Sequence, residues 1–300
     1  MNTVKNPPKA QKTGKMVGKI SWYVILGLLS IVMILPFYWT ISTSFKPNSI
    51  LFAADSYFIP KEVTLDHYRT VFSKIPFARY FMNSFFLASA GVVTNLILGS
   101  LAGYAFAKLY FRGKKVLFRI LLSSMMVPGV VATIPQFMVL KNFPLAGGND
   151  IFGQGGSGFI NSYWAIVLPG AVGAFAVFFM RQFFVGQPDE LADAARIDGA
   201  GESRIFFNIY LPLTKPALAT LGIMTFQGGW NNFLWPLIVL NDEERMTIQV
   251  GLSKFIYNYG DKDYGPLLAG TVIATLPMII IFLFAQKYFV QGISFTGSKN

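Results

Sequence analysis

Six stretches of 18 to 28 residues in this chain contain no Asp, Glu, Lys, Arg or His. They are Ile20 to Thr43, Tyr80 to Ala107, Ile120 to Leu140, Tyr163 to Met180, Pro216 to Leu240 and Gly265 to Gln286. A helix needs about 20 apolar residues to cross a bilayer, where only its own hydrogen bonds satisfy the backbone. The spacing therefore predicts an all-α membrane protein with six transmembrane helices. Composition agrees, since 53% of the 300 residues are hydrophobic and 13% charged, against about 25% charged in soluble domains. The first stretch is too long for a signal-peptide core and no small-residue cleavage site follows it, so it reads as a retained helix.

Charge fixes the expected orientation. The leader 1–19, Lys108 to Arg119, Arg181 to Lys215 and the tail hold 16 of the 25 basic residues and five of the 14 acidic ones. The remaining connections carry nine of each, so the whole net charge of +11 falls on one face. Positive-inside sorting makes that face cytoplasmic, with both termini on it. A basic excess explained by topology calls for no nucleic-acid partner. Small residues four apart, Gly99, Gly103 and Ala107 in one stretch and Gly270 and Ala274 in another, suit close helix packing, although Gly and Ala are common in membrane helices. Pro36, Pro128, Pro135, Pro169, Pro236 and Pro277 predict kinks.

Several chemistries are excluded. With no cysteine and one histidine, the chain has no disulfide, no thiolate nucleophile and no paired-His or Cys-bound metal site, so neither a catalytic nor a metal residue is expected. His67 reads as a solvated outer-loop residue. Gly153, Gly155 and Gly158 match G-x-G-x-x-G, but no strand precedes them and the next acid is Asp189, so the segment reads as a flexible loop. No Gly-Lys pair is followed by Ser or Thr, so the chain is not expected to hydrolyse ATP or bind a cofactor itself. The uncharged spans argue against a proton-coupled pump and leave sodium coupling open.

The informative connection is 187–216. Pro188 suits a first helical position, with Asp189 and Glu190 in the first turn. Leu191, Ala194 and Ala195 share a face, and Gly199 ends the helix. A second helix is expected from about Glu202 to Tyr210, with Phe206 and Ile209 on one side and Pro212 as its stop. Such a helix-turn-helix suits insertion into a groove on a soluble partner, and equally an amphipathic loop on the membrane surface. In the fifth stretch Gln227, Trp230, Asn231, Asn232 and Trp235 interrupt an apolar run. Amides and indoles can bind sugar hydroxyls and faces, or serve interhelical bonds and an interfacial belt.

The run Asp193-Ala194-Ala195, three residues, Gly199, nine residues, then Ile209-x-Leu211-Pro212 resembles the EAA loop of permease subunits of bacterial ABC importers, departing only in Asp193 for Glu. With Trp230 to Pro236 and Gln286 to Gly292, the chain is similar over nearly its whole length to MalG-type subunits of carbohydrate importers. The resemblance implies a type I ABC importer transmembrane domain: leader 1–19, first helix and outer loop 20–79, five-helix core 80–290, and cytoplasmic tail 291–300. It implies a MalF-type partner permease, two MalK-type ATPases carrying the ATP and Mg, an extracellular solute-binding protein, and an oligosaccharide or polyol cargo in the cell membrane.

By the same resemblance Asp193, Ala194, Ala195, Gly199, Ile209, Leu211 and Pro212 couple the chain to the ATPase, with an arginine there expected to meet Asp193. Gln227, Trp230, Asn231 and Asn232 are candidates for the translocation path. The segment Asn241 to Tyr264, with Asp242, Glu243, Glu244, Tyr257 and Tyr259, resembles one that reaches into the binding protein, and the tail after Val290 either reaches the ATPases or is disordered. Two other classes stand against the importer. A secondary carrier calls for an internal repeat and midplane ion ligands. A membrane enzyme on lipid-linked substrates calls for convergent acids, His or metal.

Overall fold

The computed structural model describes residues 9–53, 58–257 and 264–297, with side chains over 19–53, 58–256 and 264–286. Helix α1 (Lys9–Ser44) is followed by the short α2 (Asp66–Lys74) and the long α3 (Phe77–Lys108). Next come α4 (Lys114–Ser124), α5 (Gly129–Lys141), α6 (Trp164–Gly170) and α7 (Ala174–Val185). The connection to the next span carries α8 (Glu190–Ile197), α9 (Glu202–Ile205), a π-helical turn at Phe206–Tyr210 and α10 (Leu211–Leu213). Helices α11 (Lys215–Trp230), α12 (Leu234–Val239), α13 (Ile248–Tyr257) and α14 (Tyr264–Gly297) complete the chain.

Among the described residues, four helical segments are long and apolar enough to cross a membrane, and two bent pairs, each taken as one span, bring the number to six. Three expected spans are interrupted. The stretch 120–140 turns by 105° between α4 and α5, where Pro128 takes an extended ψ of 128° and cannot donate to the preceding turn. That is a break, sharper than the kink expected of a proline. The stretch 163–180 divides into α6 and α7 at 171–173, and 216–240 ends as a helix at Trp230 before α12 resumes. Helix α1 reaches back through the leader to Lys9, and α14 runs through most of the expected tail to Gly297.

Two apolar clusters mark the poles of the molecule. Val71, Phe77, Tyr80, Trp230, Ile248 and Phe255 pack where α2, α3, α11, α13 and α14 meet. Tyr104, Met180, Phe184, Ile205, Tyr210 and Leu221 pack where α3, α7 and α11 meet the helices of 187–213. The expected close contact exists on α3: a Cβ on Gly103 would lie 2.8 Å from the Cβ of Met180, and one on Gly99 3.0 Å from that of Ala176. Helix α1 is different, because its apolar window has no buried share; it packs chiefly on α14, and its last residue, Ser44, bonds the Tyr68 hydroxyl of α2 at 2.8 Å.

His67 is not a solvated loop residue. It lies on α2, is buried, and its Nε2 bonds the Lys46 carbonyl at 2.7 Å. The glycine loop is tightly folded as well: Gly158, at φ +58°, sits where a Cβ would fall 2.1 Å from the Leu140 carbonyl oxygen, and Asn149 Nδ2 donates to the Lys141 and Phe143 carbonyls.

Gly103→Val should overpack the contact of α3 with α7 and cost about 1–3 kcal/mol. Gly27→Ala, in open space on α1, should be neutral or stabilising. Thermal unfolding in detergent should separate the two, and equal midpoints would refute the close contact.

Candidate functional site

Helix α8 follows Asp189, with Glu190 and Asp193 in its first turn and Arg196 in its last, the charge order that complements the helix dipole. Gly199 closes it at φ +78°, a left-handed conformation that side chains other than Gly adopt at a cost. Its inward face is Ala192 and Ala195, three residues apart, rather than the expected Leu191, Ala194 and Ala195. Leu191 and Ala194 point outward with Asp193 and Asp198, and Ile197 is 87% exposed. The second helix does not stop at Pro212. It passes through the π-helical turn and α10, then bends by 78° into α11, because a proline in the first turn of a helix has no amide to lose.

The motif residues therefore divide. Asp193, Ala194, Gly199 and Pro212 are exposed, while Ala195, Ile209 and Leu211 pack against the cluster under the loop. Three polar contacts hold the loop to α3, and others brace it from within. Tyr104 Oη donates to Glu202 Oε2 at 2.8 Å, and Lys108, one turn along α3, donates to Asp189 Oδ1 and to the Gln187 carbonyl. Tyr210 Oη donates to the Pro188 carbonyl at 3.1 Å. Arg196 reaches Asp193 at 2.9 Å and Glu202 at 2.8 Å, so the Asp193 carboxylate already has a cation within its own chain. Rings of Tyr104, Phe184, Phe206 and Tyr210 pack beneath, with centroids 5.1 to 6.4 Å apart.

The hydroxyl of Tyr104, then the guanidinium of Arg196, hold the Glu202 carboxyl below its ordinary value. Lys108 does the same for Asp189, and burial pushes the Tyr210 phenol up.

The candidate path residues fall in different places. Trp230 is buried, donates Nε1–H to the Ala274 carbonyl at 3.0 Å and stacks on Phe226 at 5.8 Å, so it joins α11 to α14. Gln227 and Asn231 are exposed. Asn232 lines a groove of about 470 Å³, together with Thr133 and Gln136 of α5, Gly170 of α6, and Trp235, whose Nε1–H bonds the Ala165 carbonyl. The groove lies where the three interruptions converge. Thr133 and Gln136 were missed, although as polar residues three apart in an apolar run they were visible. Opposite the loop, Asn83 Nδ2 donates to the carbonyls of Glu244 and Met246, Tyr163 Oη bonds Asn83 Oδ1 at 2.7 Å, and Glu243 pairs with Lys254. Asp242 pairs with Arg245 at 3.4 Å. The Tyr257 side chain and Tyr259 lie outside the described residues.

Residues 95–295 match the family model described as "Binding-protein-dependent transport system inner membrane component". The arabinooligosaccharides transport system permease protein AraQ of Bacillus subtilis is 38% identical over 95% of this chain and 97% of its own. Its namesake in Halalkalibacterium halodurans is 35% identical over 94% and 97%. A chain from the crystal structure of a bacterial ABC transporter involved in import of the acidic polysaccharide alginate superposes with a TM-score of 0.77, at 25% identity, over 95% of this chain and 100% of that one.

Because both carboxyls are depressed in the folded chain, the stability they contribute is full above the ordinary carboxylate range. It is lost as pH falls through their folded values, below about pH 4. Amide exchange across 187–210, corrected for intrinsic rate, should stay slow from neutral pH down to that range and quicken below it. Glu202→Gln should exchange faster at pH 7 with a flatter pH profile, and a profile like that of the wild type would refute the carboxylate anchor.

Proposed function

This chain belongs to the family of inner membrane components of binding-protein-dependent transport systems, a multi-pass permease subunit of an ABC importer and not an enzyme, and we propose that it carries carbohydrate and is driven through 187–216. The observation that carries the proposal is the outward edge of that loop: Ala194, Ile197 and Gly199 lie uncovered beyond the apolar spans, on a helix pair fixed to α3 from beneath. The 87% exposed Ile197 suits an apolar groove on a soluble partner.

In this reading two ATPase subunits bind the ATP and Mg, and a second permease of MalF type completes the pathway. Nucleotide closure of the ATPases moves α8, and the Tyr104 and Lys108 anchors pass that motion to α3, since an input binding both states equally would shift nothing. The loop and the basic residues at its pole face the cytoplasm, and both termini lie on that side. Asn83, Glu243 and Lys254 then shape the outer face that meets the binding protein. The names of the relatives support an oligosaccharide cargo. The groove with Thr133, Gln136 and Asn232 supports a path in which amides and a hydroxyl take sugar hydroxyls beside the Trp235 ring.

Gly199→Asp should abolish uptake and ATPase coupling while leaving the protein in the membrane, and Ile197→Ser should lower co-purification of the ATPase. Normal uptake by the first variant would overturn the assignment of the loop. Gln136→Leu should lower uptake severalfold with ATPase co-purification unchanged. A screen of labelled oligosaccharides in a strain lacking the chain should identify a lost cargo. Flux of sugar through the lone subunit in liposomes would instead establish a secondary carrier.

A further inference from the structure

We propose that the cavity of about 720 Å³ between the end of α3, the start of α4 and α7 binds the phosphate of an anionic phospholipid headgroup. Its lining holds five cations, Arg112, Lys114, Lys115, Arg119 and Arg181, and no carboxylate. Lys108 and Arg196 nearby pair with acids, whereas among the described residues none of these five does. Positive-inside topology accounts for the number of basic residues in a loop. It does not account for their convergence on a concave site from two separate helices.

Arg181 is fixed there from α7. Its Nε donates to the Phe106 carbonyl at 3.0 Å and its guanidinium lies 4.2 Å from the centre of the Phe118 ring, leaving both terminal nitrogens without an acceptor among the described residues. Lys114 is held by the Ala107 and Leu109 carbonyls at 3.2 and 2.8 Å. Arg112, Lys115 and Arg119 are exposed and make no hydrogen bond within the described residues. A planar guanidinium fixed beside flexible cations is suited to phosphate oxygens.

What favours a lipid over a free anion is the continuation of the site. Val116, Leu117 and Ile120 on α4 are 57%, 50% and 61% exposed, an apolar surface running from the charged rim into the span. A headgroup in the cavity places its acyl chains on that surface, and free phosphate would leave it bare. Basic pockets beside transmembrane helices recognise anionic headgroups on this principle. The site rests on the membrane-spanning architecture and not on transport, so its failure would leave the importer reading intact.

The test uses the full chain purified with its partners in detergent, delipidated, and offered dioleoylphosphatidylglycerol or dioleoylphosphatidylcholine, with retained lipid measured by mass spectrometry. The wild type should retain phosphatidylglycerol roughly tenfold over phosphatidylcholine, and Arg112→Gln/Lys115→Gln/Arg119→Gln should lose at least roughly tenfold of that retention. Lys141→Gln, at the far end of α5, should change nothing. Arg119→Gln alone carries the test if the triple variant does not assemble, with a severalfold loss expected. Equal retention of both lipids, or unchanged retention in these variants, would overturn the site. Displacement of the lipid by equimolar inorganic phosphate would assign the cavity to a free ion and overturn the lipid.

Discussion

Every interruption of a helix inside hydrocarbon frees backbone amides and carbonyls that lipid cannot bond. The architecture follows from where these interruptions are allowed to be. The breaks between α4 and α5, α6 and α7, and α11 and α12 converge on one groove. Side chains complete the bonding: Asn95 donates to the Gly170 carbonyl at 2.6 Å and accepts from the Gly173 amide at 2.9 Å, closing the gap in the fourth span. Helix α3, continuous from Phe77 to Lys108, packs on α6 and α7 beside these breaks.

Much of this order was legible in the residues. The six uncharged runs locate the spans, and the spacing from Asp193 to Pro212 locates the loop, because both are local patterns of charge and side-chain size. The breaks were not legible. Pro128 reads as a kink, and only the tertiary setting, in which α4 and α5 part at 105°, turns it into a break. His67 misled for a similar reason: a lone histidine among polar neighbours gives no hint that the Lys46 carbonyl will receive it.

The loop shows the same division at finer scale. Gly199 as a terminator was readable, since few other residues take its conformation. The inward face was not, because Ala192, Ala194 and Ala195 are chemically alike and only packing against Ile205 and Phe206 selects which of them is buried. Ile197 escaped notice because an isoleucine in sequence carries no sign of exposure; only the fold leaves it uncovered. Trp230 erred in the other direction, since an indole suited to stacking on a sugar serves equally well to brace two helices.

The pairing of Arg196 with both Asp193 and Glu202 has a consequence for what the loop presents on its outward edge. One guanidinium answering two carboxylates leaves the group with a net negative charge, and Glu190 and Asp198 stand exposed beside it. The outward edge of α8 is therefore an acidic rim around an apolar knob, Ile197, with its acids held in place from within the loop.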